Sequence, residues 1–136
     1  MKRIIDLVKT INRPGVDAVV DYIENSNFAT ARCHGHHKNK GGLVEHVLEV
    51  YEIMKRSCSD YIPEESIIIC ALFHDLGKAK RRGWYFDGEH PERSIAILER
   101  CGFELNEIEA FAIRNQHEPS VDAITHQYRR ALTKAD

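Results

Sequence analysis

Eight histidines fall between positions 34 and 126, several of them beside a glycine, a proline or a carboxylate. One pair stands apart, because His74-Asp75 closes the almost continuously apolar run from Ile67 to Phe73 and precedes Leu76-Gly77. A carboxylate buried at the end of such a segment is costly unless it is paired or binds a cation. A metal ion would supply that cation. Neighbouring side chains on a helix point about 100° apart, so both can serve one ion only where the helix is ending or the ion lies between them, and Gly77 offers such an ending. Imidazole nitrogen with carboxylate oxygen suits manganese, iron, cobalt, nickel or zinc better than a calcium cage.

Immediately downstream, Lys78, Lys80, Arg81 and Arg82 place four basic residues in five, followed by Trp84-Tyr85-Phe86. A solvated loop is the ordinary reading of such a run, and it suits Arg81 and Arg82 better than Lys78. Lys78 and, beside it, Arg82 are the candidates to meet an anionic substrate. The aromatic triplet could stack on a base, but packing onto the body of the protein is the expectation for at least two of the three. The cluster Cys33-His34-Gly35-His36-His37 lacks a partner cluster at zinc-ligand spacing. Cys33, Cys58, Cys70 and Cys101 contain no Cys-x-x-Cys pair and read as reduced, mostly buried thiols.

The elements that must position these groups are helical. Pro14 opens a first clear helix with Val16, Val19, Val20 and Ile23 at helical spacing, ending near Asn25, and residues 29 to 42 read as a loop. Leu43, Val47, Val50 and Met54 mark a second helix. Pro63, Glu64 and Glu65 open a buried central helix that runs to Asp75. Pro91 to Arg100, closed by Gly102, forms the next. Asn106 with Glu109 caps another that reaches about His117, and a last helix covers Ser120 to Ala135. No segment alternates with period two, although Trp84 to Phe86 could be a hairpin arm. The expected fold is an all-α bundle of five to seven helices.

At 136 residues, with 43% hydrophobic and 29% charged residues, the chain is expected to form one domain over 1–136. Its net charge of −2 provides no overall field toward nucleic acid or an anionic membrane. Asp6 and Lys9 interrupt the start before a signal core or span could form, so the expected setting is cytoplasmic, without membrane partners.

Gly-Gly-Leu-Val-Glu-His at 41 to 46, His-Asp-Leu-Gly-Lys at 74 to 78 and Ala-Asp at 135 to 136 resemble the HD superfamily of metal-dependent phosphohydrolases, across positions 36 to 136. The early segment, with Arg13-Pro14-Gly15, also resembles small HD proteins of phages and mobile elements. The resemblance implies His46, His74, Asp75 and Asp136 as metal ligands. Two-metal relatives add histidines at places that His90 and His117 occupy here, although the later motif, often a histidine pair, reads Asn115-Gln116-His117. His36 matches a histidine that in relatives is placed to touch substrate or an outer metal face, and Lys78 matches a lysine that commonly faces the substrate phosphate; His126 is expected on a solvated face.

What the resemblance implies is hydrolysis of a phosphate ester by water activated on one or two divalent metal ions, with Asp75 and Lys78 as the catalytic residues. The expected substrate is a phosphorylated small molecule or nucleotide, or the end of a nucleic-acid strand. Two alternatives compete with it: a non-catalytic, metal-stabilised module that binds a nucleotide or a partner, and an HD-type di-iron oxygenase.

Overall fold

The computed structural model describes residues 1–33, 38–116, 124, 126–128 and 130. Its elements run α1 (Lys2–Lys9), α2 (Val16–Asn25), α3 (Gly42–Cys58), α4 (Glu64–Phe73), a short 3-10 turn (Leu76–Lys78), α5 (His90–Arg100) and α6 (Glu107–Arg114). Residues 124, 126–128 and 130 are helical as well. The fold is all-α. Among the described residues the only strand-like pairing is an isolated antiparallel bridge between Arg81 and Trp84, so the hairpin arm expected at Trp84 to Phe86 reduces to a tight turn.

The centre of the molecule is α4, in which every residue from Ser66 to Phe73 is buried. A helix apolar on all sides needs neighbours all around, and α1, α3 and α6 pack against it. On α3 the residues Leu43, His46, Val47, Val50 and Met54 form one buried stripe at helical spacing, so His46 takes a core-facing position. The capping box of α6 forms as its sequence predicts: Glu109 N–H donates to the Asn106 side chain and Asn106 N–H to the Glu109 carboxylate.

Several boundaries differ from the sequence reading, and α6 ends at Arg114 rather than near His117, because Asn115 already leaves the helix at φ −101° and ψ 15°. A helix, α1, precedes the first expected one, with Ile4 and Val8 buried on one face. The second begins at Val16 rather than Pro14, because Gly15 stands outside it at φ 90°. The central helix stops at Phe73, ahead of Asp75.

Glu109 is fully buried and meets a fork of donors: Arg13 Nη1 and Nη2 at 2.7 and 2.9 Å and Ser66 Oγ at 2.7 Å. Arg13 Nε also donates to Glu65 at 2.7 Å. This network ties the α1–α2 connection to α4 and α6 and holds the Arg13 pKa above its ordinary value, chiefly through the hydrogen bonds to Glu109.

Candidate metal centre

The place where α4 ends is where the chemistry collects. His74 caps α4 with helical dihedrals, whereas Asp75 has left the helix at φ −112° and ψ 17° and begins the 3-10 turn. The change of backbone direction between the two lets adjacent side chains converge. Gly77 does not provide that ending; its part is steric. A Cβ there would stand 2.3 Å from the carbonyl oxygen of His90 and 2.9 Å from Ser94 N, so only glycine lets α5 come this close. Ser94 Oγ then accepts from Gly77 N–H at 2.7 Å, and Arg93 Nε donates to the Gly77 carbonyl. The contact brings the first residue of α5, His90, to the site.

Three elements thus meet on one carboxylate. His46 Nε2 from α3 and His74 Nε2 lie 3.1 and 3.3 Å from Asp75 Oδ2, and the two ring nitrogens are 3.3 Å apart. His90 Nε2 lies 3.2 Å from the other oxygen, Oδ1, and Lys78 Nζ 3.4 Å from Oδ2. Asp75 is only 2% exposed, and His46 and His74 are buried beside it. The His74 ring is oriented by its own helix, since Nδ1 lies 2.8 Å from the carbonyl of Ala71 and 3.0 Å from that of Cys70 and can only donate to them. The other nitrogen is thereby left facing Asp75, the arrangement a metal-binding imidazole requires.

Two tests show that these residues fit a metal ion. Nitrogen and oxygen ligands at about 2.0–2.2 Å from one ion sit roughly 3.0–3.4 Å apart across an octahedral or tetrahedral edge, and the three spacings among His46, His74 and Asp75 are 3.1, 3.3 and 3.3 Å. Asp75 Oδ1, moreover, is buried and among the described residues receives no hydrogen bond, with His90 Nε2 3.2 Å away.

Charge at the site is set by these contacts. Burial opposes ionisation of Asp75, but His74, then His46 and His90, outweigh it and hold its carboxyl well below the usual range. Burial likewise opposes charge on His74, and the Asp75 carboxylate with the Ala71 and Cys70 carbonyls more than offsets it, so its pKa is raised.

Of the residues nominated from sequence, His46, His74, Asp75, His90 and Lys78 come together. Arg82 is exposed on the turn after the site. His36, His117 and Asp136 lie outside the described residues. Arg81 pairs with Asp21 at 3.0 Å and lies over Trp84, which packs on Tyr22, and Phe86 is partly buried against the core while Tyr85 is 83% exposed. His126 is exposed. One member was missed: Cys33, whose Sγ stands 4.0 Å from Asp75 Oδ2 and accepts from Lys78 Nζ at 3.2 Å. With His46 and Asp75 it forms a group of donor atoms within 4.8 Å of one another that could hold a metal. No local spacing announces it.

Compared with known families, the chain matches the HD domain over residues 43–136, more than half its length. It belongs to the HD-domain family. A search of curated proteins and one of solved structures found no significant match. HD domains bind divalent metals and are generally metal-dependent hydrolases. Within the matched span of this HD domain lie His46, His74, Asp75, Lys78 and His90, while Cys33 precedes it. No helix among the described residues is long and apolar enough to cross a membrane.

Proposed function

We propose that this HD protein is a metal-dependent phosphohydrolase that cleaves a phosphate ester, with a nucleotide or a nucleic-acid end as its substrate. The observation that supports it most is the convergence of three imidazole nitrogens and one ammonium on the buried carboxylate of Asp75.

His46, His74 and Asp75 would hold a divalent transition metal, with His90, His117 and Asp136 as further ligands for one or two ions. When bound, manganese, iron, cobalt, nickel or zinc supplies Lewis acidity that acidifies water and polarises a phosphoryl oxygen. Asp75 orients the attacking water through its carboxylate and accepts its hydrogen bond. His74 keeps a fixed tautomer because Nδ1 is committed to backbone carbonyls. Lys78 Nζ, 3.4 Å from Asp75 Oδ2, offers a preorganised donor to the phosphoryl oxygens as charge builds there. Substrate binding is assigned in this reading to Lys78, Arg82 and His36, the last outside the described residues.

The test loads protein purified without chelator with each of the five metals and supplies phosphomonoesters, nucleotides, phosphodiesters and single-stranded oligonucleotides. Release of phosphate or nucleoside by wild type and its loss in Asp75→Ala is the expected result. Metal-loaded protein that binds nucleotides without turning over any member of the panel would overturn hydrolysis in favour of a binding module.

A further inference from the structure

Around Asp75 stands one donor that neither the histidine pattern nor the carboxylate pattern nominates. Cys33 lies on the connection between α2 and α3, 8% exposed, with Sγ 4.0 Å from Asp75 Oδ2. Zinc–sulfur and zinc–oxygen bonds of about 2.3 and 2.0 Å at a tetrahedral angle set two donors roughly 3.5 Å apart, so an approach of about half an ångström by the Cys33 side chain brings it to ligand spacing from Asp75. A second observation is independent of the thiol: among the described residues the buried Asp75 keeps an oxygen, Oδ1, that receives no hydrogen bond, with His90 Nε2 3.2 Å away, so the carboxylate retains coordinating capacity. The Lys78 ammonium, itself 3.4 Å from Asp75 Oδ2, donates to Sγ at 3.2 Å and so holds the sulfur beside the carboxylate.

We propose that Cys33 is a ligand of the metal centre, completing with His46 and Asp75 a sulfur–nitrogen–oxygen set that takes zinc, iron or cobalt in preference to manganese or magnesium. The proposal rests on the metal-binding reading above and narrows it, because thiolate sulfur favours the softer ions. On binding, the S–H bond of Cys33 breaks, a sulfur–metal bond forms, and the proton passes to solvent; no electron is transferred. Lys78 then neighbours the coordinated sulfur as well as Asp75, which limits the negative charge gathered in a buried site.

The experiment titrates metal-free protein with cobalt(II) and follows its electronic absorption in wild type, Cys33→Ser and His46→Ala. Wild type should show visible cobalt bands together with a near-ultraviolet sulfur-to-cobalt charge-transfer band. Cys33→Ser should lose the charge-transfer band and bind cobalt about tenfold or more weakly, with manganese affinity changed far less. Visible bands that His46→Ala abolishes, without any sulfur band in wild type, would overturn the role of Cys33 and leave the metal centre standing. A sulfur band that survives in Cys33→Ser also overturns it. Absence of cobalt binding in wild type overturns both readings. X-ray absorption of the zinc-loaded wild type settles the matter even where Cys33→Ser fails to fold: a sulfur scatterer at about 2.3 Å is expected, and a shell of nitrogen and oxygen alone refutes the assignment.

Discussion

The α-carbon of Gly77 packs directly against the carbonyl of His90, leaving no room for a side chain between the turn after α4 and the first residue of α5. Gly77→Ala should therefore destabilise the fold by about 1–3 kcal/mol, the usual cost of overpacking a tight contact. It should also push His90 away from Asp75. Urea unfolding gives the first quantity, and metal affinity compared with that of His90→Ala gives the second. Wild-type stability in Gly77→Ala would show that the turn yields freely.

Asp75→Ala should release most of the metal without unfolding the protein, because acid and ion are removed together and neither is left buried alone. Wild type should melt at higher temperature with added manganese, cobalt or zinc, by an amount set by ion concentration over dissociation constant. The mutant should show almost no such shift. An undiminished shift would take Asp75 out of the site.

Without metal, stability should depend on pH at both edges of the window set by these two groups. The Asp75 pKa is depressed in the fold, so its contribution is whole above the ordinary value of 3.8 and is lost as pH falls through the lower folded value. The His74 pKa is raised, so its contribution is whole below 6.5 and is lost as pH climbs through the higher folded value. Unfolding of metal-free protein should show greatest resistance between these limits, and His74→Gln should remove the loss on the alkaline side.

Lys78→Ala should lower turnover by about 100-fold, the scale of losing one preorganised donor to a developing oxyanion, with little change in melting temperature. Arg82→Ala should change it far less, since its exposed side chain stands in water. Equal losses in both variants, each relieved at low salt, would indicate diffuse attraction of an anionic substrate in place of a specific contact.

Arg13→Ala should cost about 3–5 kcal/mol of stability, because Glu109 would keep a buried charge without its partner. Metal affinity should stay near wild type, as the network lies on α4 and α6 rather than at the His74-Asp75 turn. Chemical denaturation beside a cobalt titration checks both halves of this expectation.

What could be read from the chain alone was local or periodic. The buried stripe of α3, the proline that stands just before α4 and the Asn106–Glu109 box each announce themselves within a few residues, since helix spacing and capping are short-range physics. The His74-Asp75 pair was legible for the same reason: a carboxylate at the end of an apolar run demands a cation wherever the run is buried. Short range also set the limit. Eight-residue α1 carries too little pattern to stand out before Ile4 and Val8 find a core to enter. Gly77 read as a helix stop, whereas its function depends on how near α5 passes. Cys33 and Asp75 are 42 residues apart and Arg13 and Glu109 are 96 apart, with nothing in either neighbourhood to signal the partner. Such contacts are decided only when packing fixes which helix ends meet, because burial selects partners by position in space and leaves no period along the sequence.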